Sequence, residues 1–238
     1  MILMMYKRIL LKLSGEQLSG KFDVGIDPAI GSYLASEVKQ ALASDCQIVI
    51  VVGGGNLVRG AEVAGNGIRR VTADQMGMLS GLINSMALTD IFESSGISTR
   101  CMSNIYAEQL AESYAYRLAE KHLENGRVII IAGGLGRPYF THDTAAVSIG
   151  LELDCEIVAK ATKVDGVYDK DPNLDDTAVR LDEVSFSQAV KDDSIMVMDK
   201  AAMGLAMEQH QKVVIFDMMK PGNLAKLIAG ESVGTIIS

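Results

Sequence analysis

QIVIVVGGGNLVRG, residues 47–60, runs from β-branched residues straight into three glycines, with an arginine four residues beyond the last of them. Near-continuous apolarity predicts a strand buried on both faces, as in a parallel sheet. Glycine is disfavoured inside strands, so three in a row mark the strand's end and a loop whose backbone must approach something closely.

The pattern recurs along the chain. RILLKLS (8–14), GRVIIIAG (126–133), EIVAKA (156–161) and KVVIFDM (212–218) read as strands, GISTRCM (96–102) as a weaker sixth, and GTIIS (234–238) as an edge strand. Helical patterns lie between them: from Asp27-Pro28, with proline in the first turn, to about Ala43, then 72–93, 107–124, 142–153 and 199–210. The helix at 72–93 carries Met76, Leu79, Ile83, Met86 and Phe92 as an apolar stripe, expected to be core or subunit interface. Alternating strands and helices predict an α/β fold with a mainly parallel sheet. With no repeat, linker or low-complexity tract, residues 1–238 read as a single domain. The polar stretch DKDPNLDDTAVR (169–180) reads as a surface loop over a site.

Composition narrows the function. A net charge of −8 over 238 residues, with no Lys/Arg cluster, argues against nucleic acid as a partner. No apolar run approaches the ~20 residues of a membrane helix. MILMMYKRILLK, at 1–12, lacks the features of a signal peptide and reads as the approach to the first strand. Cys46, Cys101 and Cys155 are odd in number and widely spaced, which fits a reducing cytoplasm and argues against disulfides or a zinc site.

Ligands of open α/β sheets bind at the carboxyl ends of the strands. Four glycine-bearing stretches fall at such ends: KLSGEQLSG (12–20), GGGNLVRG (53–60), AGGLGRPYFTHD (132–143) and KATKVDGVYDKDP (160–172). Each also carries Lys, Arg, Thr or Asp. Glycine lets backbone N–H groups close on phosphate oxygens. A lysine inside an apolar strand, Lys12, points to the same chemistry, as does Arg59 with its planar fork. Neither the P-loop pattern nor the dinucleotide fingerprint occurs, so the glycines serve another phosphate-binding scheme. Asp74 and Asp143 read equally as first-turn carboxylates, with Thr141 a candidate N-cap.

KLSGE, GGGN…RG, DQMGML, PYFTHDTAA, KATKVDGVYDKDP, VMD and the terminal GTII occur in order and at matching separations. From Tyr6 to Ile236 the chain thereby resembles the bacterial uridylate (UMP) kinases of the amino-acid-kinase superfamily. The resemblance implies a three-layer αβα sandwich, ATP as phosphoryl donor with Mg²⁺, UMP as acceptor, and a homohexamer. It implies catalytic roles for Lys12, which bridges donor and acceptor phosphates, and Asp143, which orients lysines. It places ATP on Lys12, Leu13, Ser14, Gly15, Gly55, Arg59, Thr162, Tyr168 and Asp171. UMP falls to Gly54, Asp74, Leu135, Gly136, Arg137, Pro138, Tyr139, Phe140, Thr141 and His142. One of Lys160 and Lys163 is expected to offset charge on ATP.

The chain departs from the family in two places. Its acceptor loop reads GLGRPYFTHD where the family has GTGNPFFTTD, so Leu135, Arg137 and His142 are this chain's own. His142 is expected to be the pH-sensitive group of the site. Many members are activated by GTP through an arginine and a histidine that appear here as Thr89 and Glu93, with Arg100 retained; a weak or absent GTP response is expected. Two other readings stay open. One keeps the fold with a carboxylate or carbamate acceptor. The other is a storage or regulatory protein without catalysis, against which Lys12, Arg59, Asp143 and the intact glycines argue.

Overall fold

The computed structural model describes residues 6–65, 67–170, 175, 177–191 and 198–238. The expectation for residues 1–5 and that for Asp171 lie outside them. In chain order the elements are β1 (Arg8–Leu13), α1 (Gly15–Leu18), α2 (Pro28–Leu42), β2 (Gln47–Val52), α3 (Gly60–Val63), α4 (Arg70–Ser94), β3 (Thr99–Ser103), β4 (Glu112–Ser113), α5 (Tyr116–Glu124) and β5 (Val128–Ala132). There follow α6 (His142–Glu152), β6 (Ile157–Thr162), β7 (Val167–Tyr168), β8 (Arg180–Leu181), β9 (Glu183–Val184), α7 (Phe186–Lys191), α8 (Lys200–Glu208), β10 (Val213–Asp217), α9 (Asn223–Ile228) and β11 (Gly234–Ile237).

Nine strands form one sheet in the order β4-β3-β5-β2-β1-β6-β10-β11-β9, parallel from β4 through β10. β11 turns antiparallel against β10. It is not the edge strand that GTIIS led us to expect, because the two-residue β9 pairs along its outer side. Strand alternation splits the core into two layers. Ile9, Leu11 and Leu13 of β1 face α2, α4 and α9, whereas Leu10 faces α5, α6, α7 and α8. Helices therefore cover both faces of a mainly parallel sheet, the three-layer arrangement.

Local chemistry explains the helix starts. Asp27 caps α2 by accepting from Ala29 N, with Pro28 at the first helical position. Asp199 caps α8 by accepting from Ala201 N and Ala202 N, each at 2.9 Å. The pattern at 107–124 misled: only Tyr116–Glu124 is helical, and the residues before it turn and add the short β4 to the sheet. In α4, Leu79, Ile83 and Met86 face outward, while Ala73, Met78, Leu82, Leu88 and Phe92 face in. Small Gly81 and Ser85 share that inner side and let α4 lie close to the sheet, which a stripe of large residues could not. Residues 171–174 and 176 of the expected 169–180 loop are not described; its flanks belong to the β7–β8 hairpin.

Candidate active site

Lys12, near the end of β1, is the register partner of Lys160 on the neighbouring β6. Side chains on paired positions of parallel strands leave the sheet on the same face. For Lys12 and Lys160 that is the face covered by α6, whose second residue is Asp143. Thr141 Oγ1 caps α6 by accepting from Asp143 N at 3.0 Å. So held, the carboxylate receives Lys12 Nζ at 2.7 Å on one oxygen and Lys160 Nζ at 2.8 Å on the other. Burial alone would raise the Asp143 carboxyl, but the two ammonium groups and their hydrogen bonds hold it below its ordinary value. Burial pushes Lys160 down from its usual range, and Lys12 adds to that shift while Asp143 opposes it.

Two clefts open beside this triad, one walled by Lys12 and Lys160 and the other by Thr141 and His142, the residues just before Asp143. One, of about 330 Å³, is walled by Lys12, Ser14, Glu16, Gln17, Lys160, Ala161, Thr162 and Lys163. The other, of about 450 Å³, includes Gly54, Gly55, Arg59, Arg70, Asp74, Leu135, Phe140, Thr141 and His142 on its wall. Among the described residues, Glu16 alone lines both.

The glycine loop after β2 has a packing reason that the sequence did not disclose. A Cβ on Gly54 would lie 2.5 Å from Ser80 Cβ and 2.7 Å from Gly77 O, so α4 presses directly on the backbone there. Gly15 is equally constrained, 2.5 Å from Gly53 O. A reciprocal amide pair anchors the loop from below: Asn84 Nδ2 donates to Asn56 Oδ1 at 2.7 Å and Asn56 Nδ2 to Asn84 Oδ1 at 3.0 Å. Asn84 Nδ2 also reaches Gly53 O at 2.7 Å. Among the described residues the N–H groups of Gly54 and Gly55 have no protein acceptor, and both glycines line the larger cleft.

The remaining candidates divide. Asp74 sits in the larger cleft with both oxygens engaged, one by Arg70 Nε at 2.7 Å and one by Tyr139 N at 2.8 Å. Gly136, Arg137, Pro138 and Tyr139 belong to the loop over that cleft but not to its wall. Gly55 and Arg59, expected on the ATP side, line the larger cleft with Gly54. Arg59 is gripped there by Glu16 at 2.7 Å and Glu62 at 3.0 Å. Leu13 points into the core, leaving only its backbone near the site. Tyr168 lies on the hairpin, its hydroxyl donating to Asp165 Oδ1 at 2.6 Å, on the wall of neither cleft.

His142 overturns an expectation. Its ring is wedged against α4, with Nε2 3.0 Å from where a Cβ on Gly81 would lie, enclosed and without a hydrogen-bond partner. Part of the residue's surface stays open, but the ring nitrogen is shut from water. Burial and then the Lys12 charge push its pKa down to about 4, against a smaller pull from Asp143. The imidazole is neutral near pH 7 and does not titrate there.

Sequence reasoning missed Glu16, Arg70, Asn84 and Asp199. Asp199 accepts from Thr141 Oγ1 and Thr144 Oγ1 while capping α8, tying the start of α6 to its neighbour. The VMD motif held that signal as an aspartate directly before a helical run, a capping pattern. Glu16 and Asn84 carried none, because their partners come from distant segments; Arg70 pairs with Asp74 one turn along its own helix, a local i,i+4 spacing that the reading passed over.

A sequence family described as the amino acid kinase family matches residues 7–217. Three solved structures resemble the chain over nearly its whole length. UMP kinase from Bacillus anthracis is 33% identical, covers 98% of this chain and 96% of its own, and superposes with a TM-score of 0.93. UMP kinase from Ureaplasma parvum is 30% identical, covers 99% and 100%, and gives 0.90. Uridylate kinase from Archaeoglobus fulgidus is 26% identical, covers 97% and 99%, and gives 0.74.

Proposed function

The chain belongs to the amino acid kinase family, and from that premise we propose that it is a UMP kinase, moving the γ-phosphoryl group of ATP to UMP to give ADP and UDP. The observation that carries this reading is the Lys12–Asp143–Lys160 triad, with two clefts beside it at the carboxyl ends of parallel strands.

Phosphoryl transfer asks a protein mainly to align two substrates and to neutralise charge as it develops. The acceptor already carries its nucleophile, a phosphate oxygen, so no strong base is needed. In this reading ATP occupies the smaller cleft and UMP the larger. Asp143 acts as an organiser: it holds two ammonium groups in place before the charge of the transition state arrives, so little reorganisation remains. The free N–H groups of Gly54 and Gly55 face the phosphate being transferred, and Arg59 holds the acceptor's phosphate. The neutral His142 walls the acceptor side without adding charge.

Magnesium fits this donor set as an ion carried by the nucleotide. Among the described residues no three His, Cys, Asp or Glu side chains cluster into a metal cage. Mg²⁺ ordinarily keeps waters and phosphate oxygens with few protein carboxylates; Glu16 is the acidic side chain on the wall of the ATP cleft. When bound, the ion neutralises charge on the donor's phosphates.

A homo-oligomer is part of the same reading, a hexamer by resemblance. The outward stripe of α4, with Leu79 53% and Ile83 51% exposed, supports a subunit interface. Free Cys46, Cys101 and Cys155 support a reducing cytoplasm. Among the described residues no helix is long and apolar enough to cross a membrane.

The test is ADP release with ATP, Mg²⁺ and each nucleoside monophosphate in turn. UMP-selective turnover is expected. Turnover confined to a carboxylate or carbamate acceptor, or ATP binding with no turnover at all, overturns the reading.

A further inference from the structure

We propose that Glu16 is a positioning residue that governs acceptor binding through Arg59, an inference that rests on the UMP kinase reading. Glu16 belongs to α1, the single turn that follows β1, and its side chain stands on the wall between the two clefts. Its Oε1 lies 2.7 Å from Arg59 Nη2 and against Gly55, where a Cβ would come within 3.4 Å of the same oxygen. Gly55 thus leaves the carboxylate room to lie on the glycine loop.

Arg59 Nη1 is held separately, by Glu62 Oε1 at 3.0 Å. That bond is local, three residues along the chain. The Glu16 bond joins the segment after β1 to the segment after β2 and ties the guanidinium, on the wall of the larger cleft, to the residue that lines both. A guanidinium presents its donors in one rigid plane, so a carboxylate and a phosphate compete for the same fork. For Arg59 to take the acceptor's phosphate it must exchange Glu16 for it. The released carboxylate then stays on the boundary as a like charge facing the incoming phosphate.

The handover has two opposed consequences. Glu16 weakens acceptor binding, because a formed ion pair must be given up. It also holds Arg59 in the orientation in which transfer occurs. Neutralising Glu16 therefore lowers the acceptor's dissociation constant and turnover together, a pattern that mere loss of structure does not produce.

The experiment measures UMP binding by titration calorimetry, and kcat at saturating ATP and Mg²⁺, in the native protein, Glu16→Gln, Arg59→Ala and the double variant. The native measurements come first: a native protein that neither binds nor phosphorylates UMP overturns the kinase reading itself. With the native protein active, Glu16→Gln is expected to bind UMP several-fold more tightly and to turn over several-fold more slowly. In the Arg59→Ala background the same substitution is expected to change UMP affinity less than twofold. Unchanged or weaker UMP binding by Glu16→Gln, an unchanged kcat, or the same affinity gain without Arg59 overturns the proposal.

Discussion

Lys12 on β1 and Lys160 on β6 are register partners on adjacent parallel strands, and one carboxylate, Asp143, receives both. Two like charges side by side in a half-dry pocket are tolerable only with that anion between them. Asp143→Asn removes the anion that both ammonium groups share. We expect a stability loss on the order of 3 kcal/mol, measured by urea unfolding, and a fall in kcat of about 100-fold. A kcat within a few-fold of native would refute the organising role.

His142 makes stability depend on pH. Its pKa is about 4 folded against 6.5 for the ordinary group, so below pH 6.5 the unfolded chain binds a proton that the native state refuses. Stability contributed by the neutral ring is therefore complete above pH 6.5 and declines as pH falls towards 4, by up to about 3 kcal/mol. His142→Thr is expected to flatten that stretch of the unfolding profile. Activity between pH 6.5 and 8 is expected to show no inflection from this ring.

Gly54 and Gly55 are neighbours with different tolerances. Gly54→Ala drives a Cβ into Ser80 and the α4 backbone, at 2.5 and 2.7 Å, whereas at Gly55 the nearest atom is the flexible Glu16 carboxylate at 3.4 Å. Overpacking of this kind costs about 1–3 kcal/mol. Gly54→Ala should lower the melting temperature by several degrees and kcat/KM more than tenfold. Gly55→Ala should perturb stability far less. Equal melting temperatures for the two variants would show that α4 can yield.

Asn84→Ala strands Gly53 O and one face of Asn56 in the interior. Unmet buried partners cost about 1–3 kcal/mol, to be read from denaturant unfolding. Loss of the anchor should also raise the KM for UMP, because the loop carrying the Gly54 and Gly55 N–H groups is no longer fixed.

Arg100, retained from the pattern that the resemblance links to GTP activation, is occupied here. Its Nη1 lies 3.0 Å from Glu93 Oε1, and its Nε lies 3.8 Å from Glu112 Oε1. With Glu93 supplying an internal anion where the family has a cation, GTP is expected to leave the rate at fixed ATP and UMP nearly unchanged. A several-fold rise would contradict this.

The strands, the parallel class of the sheet and the four glycine loops were legible because each is written in neighbouring residues. Unbroken apolar runs state burial on both faces, and glycines at their ends state where the backbone turns. Asp27-Pro28 and Thr141 announced their helices in the same local way. The pattern at 107–124 failed because periodicity over a few turns does not reveal that β4 will be recruited to the sheet.

Which lysine meets Lys12 on the Asp143 carboxylate and how His142 titrates were decided only by tertiary structure. Lys160 stands beside Lys12 through the register of β1 against β6, a relation between segments far apart in the chain. His142 reads as an ordinary histidine until Gly81 of α4 makes room for its ring and shuts it from water. Glu16 became part of the site only when β1 and β2 lay side by side and brought Arg59 within 2.7 Å. Burial and charge depend on what packs across a space, and that distance is not a function of position along the chain.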